Sequence, residues 1–126
     1  MTLATRTVTL PGGLQATLVH QPQADRAAAL ARVAAGSHHE PSRFPGLAHL
    51  LEHLLFYGGE RYQDDDRLMG WVQRQGGSVN ATTLARHSAF FFEVAADALA
   101  AGVARLQEML QAPLPPREDI QREVAV

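Results

Sequence analysis

The segment from Gly46 to Phe56 constrains the fold of this chain most, because its leucines recur with the spacing of an α-helix. Each residue of a helix advances by about 100°, so leucines with this spacing share one side. The leucines on that side are Leu47, Leu50, Leu51, Leu54 and Leu55. An apolar helix face has to be buried, so we expect this helix to anchor a hydrophobic core. We predict that it ends at Gly58-Gly59, since glycine commonly follows a helix C-terminus.

The other face of this helix carries His49, Glu52 and His53 in the pattern H-x-x-E-H. Relative to His49, we place His53 about 40° to one side and Glu52 about 60° to the other. Two histidines one turn apart can bind one zinc ion, and a carboxylate beside them can take a proton from metal-activated water. Catalytic zinc usually has three protein ligands, so a third must come from elsewhere. A solvated helix face also carries His and Glu, and the pattern alone leaves that alternative open.

The rest of the sequence predicts a mixture of short strands and helices. Apolar and polar residues alternate over 3–10 and 14–20, which we expect to be strands joined by a tight turn, and we also expect strands over 27–35, 78–83 and 88–95. The segment 27–35 is rich in alanine, which by itself favours a helix. We predict further helices over 64–75, over 98–111 and from Pro116 onward. Three aspartates at the start of the first of these helices suit the positive end of its dipole.

Apolar residues in the later elements indicate the rest of the core. On the helix over 98–111 the spacing predicts a buried face of Leu99, Val103, Leu106 and Leu110. Trp71 and the aromatic run 90–92 are expected to pack in the core and against the sheet. The histidines outside the H-x-x-E-H segment have no partner at ligand spacing, and we expect them on the surface or in loops: His20, His38, His39 and His87.

Composition excludes several classes of protein. The net charge of −2 lacks the basic footprint of a nucleic-acid-binding protein, and 126 residues allow one ordinary domain. There is no cysteine, so a disulfide framework and a thiolate metal site are both excluded. No segment has the length of a membrane span, and the N-terminus lacks the apolar stretch of a secretory signal. We therefore expect a soluble, cytoplasmic chain without a nucleic-acid or membrane partner.

The order of these elements, with four local motifs, resembles the pitrilysin/insulysin family of inverse zincin metallopeptidases. The motifs are H-x-x-E-H at 49–53, an aromatic-glycine turn at 56–59, G-x-x-N-A-x-T at 77–83 and R-E-V at 122–124. The resemblance covers nearly the whole chain. It implies an α+β fold with a mostly antiparallel sheet and helices packed on one face. It also implies that residues 1–126 are the N-terminal part of a first, zinc-binding peptidase domain, with later parts absent from this sequence.

The resemblance assigns roles to individual residues. His49 and His53 correspond to zinc ligands and Glu52 to the general base. Glu123 corresponds to an acidic residue that assists the site, although without the resemblance it would be taken as an exposed helix glutamate. The family's third zinc ligand is a glutamate seven residues further on, beyond the last residue of this sequence. Within these 126 residues only two of the three zinc ligands are present. We therefore expect this chain alone to bind zinc weakly and to cleave peptides inefficiently.

Substrate contacts follow from the same resemblance. Asn80 and Ala81 correspond to the edge strand on which a substrate peptide lies as an added strand. An asparagine that merely ends a strand is an equally good interpretation of Asn80. Within the family, residues 37–59 look most like bacterial peptidases of pyrroloquinoline quinone (PQQ) biosynthesis, which implies the PQQ precursor peptide as substrate.

Three functions are therefore in competition. The first is a zinc metalloendopeptidase, of which this chain is a part. The second is a non-catalytic relative of the family that serves as a binding or scaffold subunit. The third is an unrelated α+β binding domain with a chance motif. Exposed sheet edges would also favour self-association of the chain.

Overall fold

A computed structural model describes residues 3–111 and 117–124 of the chain. Within these ranges it contains strands and α-helices in the following order: β1 Ala4–Thr9, β2 Gln15–His20, β3 Arg26–Val33, α1 Leu47–Leu55, α2 Leu68–Arg74, β4 Ser78–Thr83, β5 Ser88–Ala95, α3 Leu99–Gln111 and α4 Arg117–Val124. The predicted start of the last helix at Pro116 lies outside the described residues. In the part of the chain that is described, no helix is both long enough and apolar enough to cross a membrane.

The strands form two antiparallel sheets. β1 and β2 make a hairpin in which Ala4 lies opposite His20, and the turn between them uses Gly12 and Gly13 with φ of 95° and 92°. The second sheet has the order β3-β5-β4, so β4 is an edge strand. The alanine-rich segment Arg26–Val33 is a strand, as predicted, because all eight of its residues pair with β5. Pairing with a central strand outweighs its local helix propensity.

The three-stranded sheet is buried on one face. Phe90, Phe92 and Val94 of β5 are 2%, 2% and 0% exposed, whereas Phe91 between them is 36% exposed. Alternate residues of a strand point to opposite faces, so Phe91 lies on the outer face rather than in the core. The core joins this face to α2 and α3 and consists of Leu68, Trp71, Val72, Phe90, Phe92, Val94, Leu106 and Met109. The α+β architecture with helices packed on a sheet face is thus confirmed.

Helix α3 approaches this sheet closely at Gly102. A Cβ atom at this position would lie 2.4 Å from Cε2 of Phe92. Val103, predicted to face the core, is instead 42% exposed, while Gly102, Leu106 and Met109 are the buried positions. The prediction is wrong for Val103 because the helix contacts the sheet through Gly102, whereas Leu106 is buried and Leu99 and Leu110 pack against the core as predicted.

The helix predicted over 64–75 is wrong in its first turn. Residues Asp64–Asp66 form a 3-10 turn, Arg67 is extended, and α2 begins only at Leu68. Asp66 accepts hydrogen bonds from Arg74 and Arg105 at its carboxylate, and Arg105 also donates to its carbonyl. These long-range contacts hold the aspartates in a turn, so they do not start the helix.

The leucine face of α1 is only partly buried. Leu54 is 5% exposed, but Leu47 and Leu51 are 42% and 43% exposed. The two exposed leucines border an apolar cavity of about 270 Å³. The helix ends at Leu55 with Phe56 as its C-cap, before the predicted glycine pair, and the chain continues in turns to Gly59, where φ is 100°.

Candidate metal and peptide site

Helix α1 brings the three residues of the H-x-x-E-H pattern together. His49, Glu52 and His53 each offer a ligand atom within 4.8 Å of those of the other two. The two imidazole rings have centroids 4.6 Å apart and meet edge to face at 74°. This is the shared face that helical spacing predicts, and its donor set of two imidazoles and a carboxylate suits zinc.

Glu52 differs from its two neighbours in burial. It is 8% exposed, whereas both histidines are exposed. The hydroxyl of Thr83, the last residue of β4, donates a hydrogen bond to Oε2 of Glu52. A buried carboxylate needs such a donor, because burying a charge without one is costly. The sequence analysis had not singled out Thr83, although it is the threonine of the G-x-x-N-A-x-T segment.

Helix α4 carries Glu123 to the same site from 70 residues away in the sequence. Its Oε2 lies 3.3 Å from Nδ1 of His53, and its side chain is only 19% exposed. A histidine whose Nδ1 faces a carboxylate is oriented to bind a metal through Nε2. Glu123 is therefore not a solvent-facing helix glutamate, and the arrangement around His53 fits a metal ligand.

Tyr57 is a further contact of this site that the sequence analysis missed. It follows α1 directly and hydrogen-bonds to Glu123, and that bond together with the negative charge of Glu123 raises the pKa of the Tyr57 phenol above 10.0. The aromatic-glycine turn at 56–59 contained the residue, but nothing in its spacing indicated a carboxylate partner 66 positions later.

The N-terminus of α1 is held by a side chain from the preceding loop. Glu40 accepts hydrogen bonds from the backbone N–H groups of Gly46 and Ala48, each at 2.9 Å. These two bonds hold the pKa of the Glu40 carboxyl below its ordinary value of 4.5. Gly46, the N-cap residue, has no side chain for this purpose, so Glu40 satisfies two of the donors at the start of the helix. Glu40 thereby fixes the start of the helix that presents His49.

Edge strand β4 lies along the same groove. Just beyond β4, the N–H of Leu84 donates to the carbonyl of His87. Backbone groups of successive residues in an antiparallel ladder point alternately toward and away from the partner strand. In the pairing of β4 with β5, the backbone groups of Ala81 therefore point away from β5. The N–H of Ala81 donates a hydrogen bond of 2.8 Å to Oδ1 of Asn80. Asn80, Ala81, Glu52, His53 and Glu123 all line one groove of about 750 Å³. The structure thus brings the predicted substrate strand beside the predicted metal face.

The remaining histidines make contacts away from this groove. Nδ1 of His39 accepts a hydrogen bond from Gly36 N–H at 3.0 Å, and Nδ1 of His87 lies 3.3 Å from Nη2 of Arg32. Among the described residues, His49, Glu52 and His53 are the group placed to share a metal ion. His20 ends β2 and His38 lies in a 3-10 turn, and both are exposed, so the expected surface or loop positions of these histidines are confirmed.

Comparison with known sequences gives close relatives. Residues 15–126 match the family described as Insulinase (Peptidase family M16). The whole chain is 98% identical to the coenzyme PQQ synthesis protein F of Klebsiella pneumoniae and covers 17% of that protein. Over 105 residues it is 59% identical to the protein of the same name from Pseudomonas aeruginosa, covering 83% of this chain and 14% of that one.

More distant relatives share the fold. The chain is 36% identical to the A-factor-processing enzyme of Saccharomyces cerevisiae over 119 residues, which are 94% of this chain and 12% of the yeast protein. The crystal structure of pitrilysin superposes with a TM-score of 0.90 and 35% sequence identity, covering 96% of this chain and 13% of pitrilysin. The chain spans less than one fifth of the length of each relative.

Proposed function

This chain belongs to the insulinase family of peptidases, peptidase family M16, and from that premise we propose that it forms the metal-binding part of a zinc metalloendopeptidase. We place residues 1–126 in the first peptidase domain of a longer polypeptide, in keeping with their share of the relatives' length. The observation that supports the proposal best is the convergence of α1, α4 and β4 on one groove.

In this proposal His49 and His53 hold the zinc ion, and a glutamate beyond residue 126 completes the ligand set. Glu123 fixes the ring of His53 through the Nδ1 contact at 3.3 Å. When bound, zinc supplies Lewis-acid chemistry, which lowers the pKa of water and polarises a peptide carbonyl. The two imidazoles fit zinc, because histidine nitrogens are among its ordinary protein ligands in hydrolases.

Glu52 is the general base of the proposed reaction. Its carboxylate stands on the same helix face as the two imidazoles, and Thr83 engages one of its oxygens. The other oxygen accepts a proton from the attacking water and passes it to the leaving amine. The peptide lies along β4, where main-chain groups of the edge strand, including the carbonyl of Ala81, pair with an extended substrate. The side chain of Asn80 is placed next to that peptide.

The proposed substrate is the PQQ precursor peptide or pieces of it. Two relatives named coenzyme PQQ synthesis protein F are 98% and 59% identical to this chain, which supports a role in PQQ biosynthesis. Binding through main-chain pairing makes modest demands on substrate sequence, so the pathway is assigned from these relatives. Cytoplasmic location and self-association stay predictions from the sequence.

Replacing Glu52 with Gln in a full-length polypeptide that carries this sequence tests the proposal. We expect peptide cleavage to fall by about 10²- to 10⁴-fold, the usual contribution of a general base, while the zinc content stays that of the parent. Zinc content is measured by atomic absorption. Cleavage is measured with the precursor peptide as substrate. A parent chain that binds no zinc with His49 and His53 intact would contradict the peptidase proposal and favour the scaffold alternative. Undiminished cleavage by the variant would remove Glu52 from the mechanism.

A further inference from the structure

The hydrogen bond from Thr83 to Glu52 connects the strand proposed to bind the peptide with the helix that carries the proposed general base. Thr83 is the last residue of β4, and Glu52 lies 31 residues earlier, in α1. From this contact we propose that Thr83 is a positioning residue, which holds the Glu52 carboxylate in the orientation needed for proton transfer. This inference rests on the proposed function and deepens it.

The geometry of Glu52 explains why a partner is needed. The terminal torsion of a glutamate side chain has a broad, shallow preference, so the carboxylate plane is not fixed by its own rotamer. The hydroxyl of Thr83 donates to Oε2, which fixes that plane and leaves Oε1 to receive a proton. Because Glu52 is only 8% exposed, water can compete little with Thr83 for its carboxylate. A fixed acceptor gains rate because no reorientation is needed at the moment of transfer.

The position of Thr83 in the sheet adds a second consequence. It lies two residues beyond Ala81 on the same strand, and residues two apart on a strand share both a face and an edge. The edge proposed to bind the peptide and the side chain that fixes the base therefore belong to one rigid segment. β4 is held in turn by six paired residues of β5, from Ser78 opposite Glu93 to Thr83 opposite Ser88. Thr83 thus sets the distance between the base and the bound peptide.

Thr83→Val and Thr83→Ser in the full-length polypeptide separate this role from simple packing. Valine has nearly the same shape and suits a strand but lacks the hydroxyl, whereas serine keeps it. For Thr83→Val we expect kcat on the precursor peptide to fall by about 10- to 100-fold, the range for a lost hydrogen bond to a charged group. KM and zinc content should stay near those of the parent. Thr83→Ser should restore most of kcat.

Three results would overturn the proposal. Parental kcat in Thr83→Val would show that the hydroxyl is not needed. Equal loss in the valine and serine variants, or loss confined to KM or to zinc content, would show a structural role. Crystal structures of both variants give a readout that is independent of turnover: the Glu52 carboxylate should change orientation in the valine variant and keep it in the serine variant. If the parent itself has no zinc-dependent turnover, the peptidase proposal fails, and the carboxylate positions alone decide the role of Thr83.

Discussion

Burial along helix α1 does not follow the hydropathy of its two faces at every position. On the leucine face Leu47 and Leu51 are 42% and 43% exposed, while on the polar face Glu52 is 8% exposed. Glu52 lines the same cavity as the two leucines, but its carboxylate receives a hydrogen bond from Thr83 of β4, whereas the leucines remain open to the cavity. Burial on this helix therefore depends on what packs against each side. A carboxylate is kept in the more enclosed position because a specific donor meets it there.

Replacing leucines one turn apart on α1 is the strongest test of this contrast. Leu54→Ala should lower the free energy of unfolding by about 2–5 kcal/mol, since it removes a buried side chain beside the core. Leu51→Ala should change it by no more than about 0.5 kcal/mol, the usual range for an exposed position. Urea unfolding of the two variants measures both values. Equal losses would show that the exposed leucines are covered in solution.

The polar face can be tested through Glu123, which contacts His53. In the full-length polypeptide, Glu123→Gln should weaken zinc binding by about 10- to 100-fold, the usual effect of removing a partner that orients a metal-binding histidine. It should also lower the pKa of Tyr57 toward 10.0, because the charged acceptor that raises it is replaced by a neutral amide oxygen. Competition with a chelator and an ultraviolet titration measure the two effects. Glu118→Gln, an exposed glutamate of the same helix, is the matched control. Unchanged zinc affinity in Glu123→Gln would contradict the contact.

The smallest effect is expected at the N-terminus of α1. The folded-state pKa of Glu40 lies below 4.5, so its carboxylate stabilises the fold fully above that value. The stabilisation is lost as the pH falls below 4.5 and through the lower folded-state value. Glu40→Gln should therefore be less stable than the parent near neutral pH, and the difference should shrink in acid. Urea unfolding at several pH values measures it, with Glu118→Gln as the control. A difference that grows in acid would show that folding does not lower the pKa of Glu40.

The sequence was sufficient wherever local geometry controls the outcome. The H-x-x-E-H face follows from the angle per residue of a helix, and the strands predicted over 78–83 and 88–95 have those bounds in the structure. Predictions were wrong where contacts between residues far apart in the sequence control the structure. Arg74 and Arg105 hold Asp66 in a turn instead of a helix, and Gly102 rather than Val103 meets the sheet. No local pattern records either contact.

For the candidate site, the sequence by itself determined which residues can share a metal ion, because His49, Glu52 and His53 lie within little more than one helical turn. Only the tertiary structure decided which groups surround them. Glu123 comes from 70 residues away, and Thr83 from 31 residues away. These approaches depend on how α4 and β4 pack against α1, since packing energy is shared among many side chains and is not encoded at one position. The residue types on the metal face are thus determined by the local sequence, while their orientation and burial depend on how α1, α4 and β4 pack together.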